Sequence, residues 1–531
     1  MIAQVFIFVA IVNQVGSDLQ ASDFYVTGLP FLPKEASSIR MHAGHIPVNS
    51  QHHGALFFWH FASKYAGDKP RTVIWLNGGP GCSSLIGAWA EIGPFRFQNK
   101  TTIVENNGSW HMFTNLLFVE QPVGTGFSYI DKDSFIHELD EMTNHFLNFL
   151  DRYIKIFPEL LQNDIYLAGE SFAGQYVPYI AQAILAKRSE LKLLGLLIGN
   201  GWIDPASTYE SYLPFAVANN LVENNSVLYH NIAAQTKICL RRLSNETHVF
   251  EKACESILSE IMKNGAMNNH YPNKTTGRCV NVYDVRLDDT WPACGTNWPA
   301  DIEYATLYLH RTDVMSRIHV DAYHSIPSIK LLPDLLRQIP IVLYSGERDF
   351  ICNHWGTERM MDAMTWNNRT GFDLGNKTLA PLEPWIVDDE PAGLIRTARN
   401  LTYILFYNAS HMVPYDYARR SSAMLHQFIK LNLLSDSDKT TKKNNVETMN
   451  LKKSRAGLIA LALIITTIIL IGLTSFFVCK RQQIRMHLPV NTTRVLWSTR
   501  CRDVDLQPLV VCSLLVESKE NVDGSDCSTL V

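Results

Sequence analysis

Six short apolar runs recur along the chain: Thr72–Leu76, Leu116–Val119, Asp164–Leu167, Leu194–Ile198, Ile341–Tyr344 and Thr402–Tyr407. Each is continuous rather than alternating and rich in β-formers, and the stretches between them carry helical periodicity. Strands that are apolar on both sides are buried on both faces, so the pattern predicts an α/β layer fold with a largely parallel sheet. Between Asp204 and about Lys330 the pattern turns polar, Asn-rich and cysteine-bearing, with a 3.6-residue period in Glu251–Met262. That stretch reads as a helical insertion over the sheet, a cap or lid.

Two segments stand outside the fold. Ile2–Val12 is apolar and leads into small and polar residues, which reads as a secretory signal covering 1–22. Ala456–Val478 is an uncharged, mostly apolar stretch of 23 residues, enough to cross a bilayer core of about 30 Å at ~1.5 Å per residue. The folded part is expected over 23–433, with the insertion at about 204–330. A charged linker at 434–455 then leads to one transmembrane helix at 456–478 and a cytoplasmic tail at 479–531.

Basic residues flank the span on both sides, so charge alone does not orient it. Asn-x-Ser/Thr sequons supply the direction. Nine precede the span, at Asn99, Asn107, Asn224, Asn245, Asn273, Asn368, Asn376, Asn400 and Asn408, and one follows it at Asn491. Six cysteines precede it and four follow. In an oxidising lumen Cys239 can pair with Cys254, and Cys279 with Cys294. A formal charge of −4 and 46% hydrophobic residues exclude general disorder and give no basic field for a nucleic-acid partner.

The chemistry begins at Gly169-Glu170-Ser171-Phe172-Ala173, directly behind a strand. A strand that turns sharply into a helix at Gly-x-Ser-x-small raises the serine hydroxyl above the sheet edge. Such an elbow demands an acid and then a histidine, each after a later strand. Asp349 follows Ile341–Gly346, and His411 follows the run that ends at Tyr407. Ser171 is therefore the expected nucleophile, His411 its base, and Asp349 the carboxylate that fixes the imidazole tautomer. A glycine-rich turn, Asn77-Gly78-Gly79-Pro80-Gly81, precedes the elbow and offers backbone N–H groups to a developing oxyanion. The expected architecture is an α/β-hydrolase fold with a helical, disulfide-bearing cap.

WLNGGPGCSS, FVEQPVGTGFSY, GESFAGQYVP, GNGWIDP, SGERDFICN and NASHMVPYD together resemble the serine carboxypeptidases, and with the membrane span their pheromone-processing, Kex-type carboxypeptidase D branch. The resemblance runs from about Tyr25 to Leu433. It implies catalysis by Ser171, Asp349 and His411, with the N–H groups of Gly79 and Phe172 as oxyanion donors. It further implies that Asn77, the N–H of Gly78, and Glu170 paired with Glu91 grip the substrate's terminal carboxylate. Two touching carboxyls cannot both ionise cheaply, so one is expected to stay protonated into mildly acidic pH. By the same resemblance Cys352 and Met412 line the pocket of the departing residue.

The implied substrates are peptide or protein C-termini ending in Lys or Arg. No cofactor and no metal are expected, and the resemblance implies a type I membrane protein of the Golgi or trans-Golgi network with a lumenal catalytic domain. One departure is visible: only about six residues separate Val320 from Pro327, a stretch that is longer in the family, so Cys82 lacks its expected partner cysteine. An acyltransferase on the same scaffold, or a membrane glycoprotein with an impaired site, would share most of these motifs.

Overall fold

Along each of the six apolar runs, successive side chains point to opposite faces of a single sheet, and both faces are dry. Val73, Trp75, Phe118, Ala168, Val342 and Tyr344 belong to one core, while Ile74, Leu76, Val119, Leu167, Ile341 and Leu343 belong to the other. The period-two geometry of a strand thus divides one run between two hydrophobic layers. The computed structural model describes residues 19–431 apart from 28, 30–31, 33–37, 66, 100–101, 132–133, 246–247, 265–277, 291–324 and 377.

Ten strands build the sheet: β1 (Met41–Asn49), β2 (Gly54–Phe61), β3 (Arg71–Leu76), β4 (Asn115–Glu120), β5 (Asp164–Glu170), β6 (Leu193–Gly199), β7 (Ile341–Gly346), β8 (Glu383–Val387), β9 (Glu390–Ala398) and β10 (Leu401–Phe406). Their order is β1-β2-β4-β3-β5-β6-β7-β10-β9-β8. The six central strands, β4 to β10 in that order, run parallel and coincide with the six apolar runs. An antiparallel pair closes each edge. The edge strands escape the apolar-run criterion because β1 carries Gly44 and Pro47 and β8 opens on Glu383 and Pro384; such residues are tolerated where one side of a strand is open.

Helices cover both faces. α1 (Leu139–Ile156) buries Met142, Phe146, Phe149, Leu150 and Tyr153, a stripe at three- and four-residue spacing. Together with α2 (Ala173–Lys187) it packs in the core that contains Leu76 and Leu167. The insertion opens at α3 (Pro205–Ala218), where Asp204 caps the helix by accepting from Ser207 N and Pro205 stands at its first position. α4 (Val227–Asn245) and α5 (Lys252–Asn264) follow, joined by a disulfide between Cys239 and Cys254. α6 (His354–Ala363) and α7 (Ala418–Phe428) complete the framework.

Cys294, the sequon Asn273 and the apolar span 456–478 lie outside the described residues, as do 1–18 and 432–455. Among the described residues no helix is long and apolar enough to cross a membrane. Asn107, Asn224, Asn368, Asn376, Asn400 and Asn408 are all exposed.

The buried Cys239–Cys254 bridge spans a sequence separation of 15, a loop whose closure is worth about 3 kcal/mol against the unfolded chain. Replacing both cysteines by serine is expected to lower unfolding stability by that order, read as a lower urea midpoint.

Candidate active site

β3, β5 and β6 end level with one another: Leu76 is paired with Gly169, and Glu170 with Gly199. The segments that follow, 77–84, 171–172 and 200–203, therefore emerge side by side at one rim. Ser171 turns the corner with φ 62°, a left-handed conformation that costs a serine about 1–3 kcal/mol. Hydrogen bonds hold it there. Its N–H donates to Gly199 O at 3.0 Å, and its carbonyl accepts from Gly174 N and Trp202 N, both at 2.8 Å. Gly169 has no room for a side chain because Ala173 Cβ occupies that space, so the alanine in the motif is accommodated by the glycine four residues earlier.

Gly78 packs directly on the elbow. A methyl there would strike Phe172 N, Glu170 O and Ser171 Cβ. Gly79 follows with φ 108°, and among the described residues neither its N–H nor that of Phe172 has an acceptor. Two donors are thus left beside the serine, at the mouth of a cavity that both residues line with Ser171.

The acid and the imidazole arrive from β7 and β10. Gly346, the last residue of β7, lets the 409–410 segment cross it, since a side chain would strike Ser410 O and Ala409 O. Arg348 N then donates to Ala409 O at 2.8 Å, tying the two loops. Asp349 and His411 are fully buried, with His411 Nδ1 2.8 Å from Asp349 Oδ2. The same Oδ2 accepts from Asn200 Nδ2 at 2.6 Å, and Asn200 Oδ1 accepts from Gly346 N at 3.3 Å. Cys352 closes the group: its sulfur, a His411 nitrogen and an Asp349 oxygen lie within 4.8 Å of one another, and Cys352 lines the same cavity as Ser171. Burial first, then the charges of Asp349 and Glu170, pushes this thiol well above its ordinary value, so it stays protonated and is no rival nucleophile.

Glu170 and Glu91 are both 1% exposed, and neither Glu170 Oε2 nor Glu91 Oε2 has a donor among the described residues. A carboxylate has no donor, so one of the two can bond to the other only with a proton between them. Burial raises both carboxyls, and the charge of Glu91 adds to the rise at Glu170. Asn77 is oriented from three sides: its Oδ1 accepts from Trp75 Nε1 at 2.7 Å and Gly87 N at 3.1 Å, and its Nδ2 donates to Glu91 Oε1 at 3.3 Å. A further buried carboxyl supports the glycine-rich turn. Glu120 accepts from Ser83 Oγ and from Phe127 N, and burial pushes it up to about 7 against those bonds.

The two residues assigned to one pocket by resemblance stand apart. Cys352 lines the cavity beside Ser171, whereas Met412 packs with Ile86 and Ala90, next to the residue that carries the Glu91 carboxyl. The motifs left Asn200 without a role although GNGWIDP contains it. Its signal is an asparagine at φ 44° directly after a central strand.

Asn200 holds Asp349 by a charge-assisted hydrogen bond, a class worth roughly 1.5–3 kcal/mol. Asn200→Ala is expected to reduce kcat/KM toward peptides by about tenfold or more, with the loss in kcat. Unchanged kcat in steady-state assays would show that Asp349 is held without it.

The serine carboxypeptidase family profile matches residues 30–431. The pheromone-processing carboxypeptidase KEX1 of Tuber melanosporum is 47% identical over 440 residues, 78% of this chain and 70% of that protein. The pheromone-processing carboxypeptidase kex1 of Aspergillus fumigatus is 46% identical over 448 residues, 79% of this chain and 70% of that one. Among solved structures, a prohormone-processing carboxypeptidase from Saccharomyces cerevisiae, KEX1(delta)p, matches with TM-score 0.67 at 35% identity, over 78% of this chain and 96% of that chain. An α/β-hydrolase sheet with a serine elbow, matched along the whole folded part by such relatives, places this chain in the serine carboxypeptidase family.

Proposed function

We propose that the enzyme removes C-terminal Lys or Arg, one residue at a time, from peptide and protein precursors in the lumen of the secretory pathway, through an acyl-enzyme. Ser171 Oγ attacks the last peptide carbonyl while His411 takes its proton. Asp349, bonded to His411 Nδ1, fixes the tautomer and stabilises the imidazolium. The N–H groups of Gly79 and Phe172 receive the oxyanion. His411 then protonates the departing amine, and water, deprotonated by the same imidazole, hydrolyses the ester on Ser171.

The observation that carries an exopeptidase reading is the buried carboxyl pair one residue from the nucleophile. A protonated Glu91–Glu170 pair, with Asn77 and the N–H of Gly78, can donate hydrogen bonds to a peptide's terminal carboxylate, which an internal peptide bond does not possess. Met412, beside the Glu91 segment, is then on the side of the departing residue. The choice of Lys or Arg rests on the Kex-type motifs. The lumenal setting is supported by the Cys239–Cys254 bridge and the exposed sequons. Type I anchoring in the Golgi or trans-Golgi network rests on the apolar span 456–478 and on the same motifs.

Ser171→Ala is expected to lower kcat on peptides ending in Lys or Arg by on the order of 10⁶ and to abolish labelling by a fluorophosphonate. Undiminished trimming of peptide tails would overturn the reading. The pH dependence has a definite sign. Because the folded pair holds its proton above the ordinary carboxyl range, KM stays low at acidic pH and rises as pH climbs through the pair's raised titration, when two anions face a third. Glu170→Gln and Glu91→Gln should flatten that rise in KM-against-pH profiles; profiles identical to wild type would remove the pair from carboxylate binding.

A further inference from the structure

A cavity of about 200 Å³ opens beside Ser171, between the elbow and the insertion. Its walls are aromatic. Phe172 and Phe250 lie parallel with ring centroids 5.3 Å apart, and Trp202 meets Tyr209 edge to face at 5.2 Å. Among the described residues that line it there is one carboxylate, Glu255 of α5. Glu255 is exposed at the mouth, and the charged groups acting on it are Lys252 and Glu251 of the same segment. It enters no ion pair among the described residues, whereas Glu251 faces Arg242.

Asn77, Glu91, Glu170 and Met412 take no part in this lining. If the terminal carboxylate is gripped by the carboxyl pair, as proposed above, the departing residue lies on that side, and the chain retained on Ser171 extends toward the cavity. From this division we infer that Glu255 selects a basic side chain at the penultimate position of the substrate, the residue that becomes the acyl group on Ser171.

The chemistry fits Lys and Arg closely. Their aliphatic stems cover apolar surface while the charged head stays near water; here the stem runs along Phe250 and Trp202 and the head reaches a carboxylate at the opening. Aromatic faces also attract the cation itself. An acidic penultimate residue would meet like charge, and a leucine would fill the walls and leave Glu255 unused. Since the mouth is exposed, the ion pair is screened and the selectivity is modest and salt-dependent.

The test uses the purified chain with N-acylated Lys-Arg, Leu-Arg and Glu-Arg dipeptides, and with N-acyl-lysine and N-acyl-leucine methyl esters, which have no departing amino acid. Glu255→Gln is expected to lower kcat/KM roughly fivefold for the Lys-Arg peptide and the lysine ester, with the leucine substrates unchanged. Glu255→Lys should reverse the order in favour of Glu-Arg. The lysine advantage of the wild type should shrink as salt is raised. An equal loss on all substrates, or a shift that follows the departing residue instead, would overturn the assignment. Should the wild type hydrolyse esters with lysine preference yet release no residue from peptides, the exopeptidase reading would fall and the role of Glu255 would stand.

Discussion

At Gly78 even a methyl group would collide with the Phe172 amide, the Glu170 carbonyl and Ser171 Cβ. That close approach of two backbones sets the geometry of the rim. It brings Gly79 and Phe172 together beside the serine and leaves Asn77 bonded to the Glu91 carboxyl. It also requires β3 and β5 to end in register, which their parallel ladder enforces. The left-handed turn at Ser171 would relax if its N–H were not bonded to the last residue of β6 and its carbonyl to the segment that follows. Three neighbouring strand ends thus hold one strained residue.

The second constraint is electrostatic. Glu91, Glu120 and Glu170 are nearly or fully buried, and a lone anion in such a place is expensive. The fold answers by retaining protons: burial raises all three carboxyls. Asp349 differs. It is just as buried but receives Asn200 Nδ2 and faces His411 Nδ1 on one oxygen, partners that suit a carboxylate. Acids at this rim thus meet different sets of donors: Asp349 is held on one oxygen by Asn200 and His411, whereas Oε2 of both Glu91 and Glu170 meets none among the described residues.

The insertion supplies what the sheet cannot. Tyr209 and Tyr212 from α3, Phe250 from the turn before α5, and Glu255 and Leu258 from α5 wall the cavity over Ser171. The disulfide that fixes α4 to α5 lies one residue before Glu255. Ser171, Asp349 and His411 stand on loops held by the parallel sheet, and a disulfide-braced insertion that shares the core of the sheet supplies walls beside them.

Much of this was legible along the chain because it is local. The six apolar runs became the six parallel strands, since burial on both faces leaves a composition that needs no partner to be read. The order of Ser171, Asp349 and His411 behind their strands was legible for the same reason, as turn chemistry is written in neighbouring residues. The edge strands were not, because β1 and β8 owe their form to a neighbour's ladder rather than to their own apolar content. Nor could spacing separate Cys352 from Met412, give Asn200 its place on Asp349, or single out Glu255 among many acids. These depend on contacts across gaps such as the 149 residues between Asn200 and Asp349. Local patterning determined the layers and the candidate nucleophile; desolvation and long-range packing, which exist only once the chain is folded, decided which acids keep their protons and which walls a substrate meets.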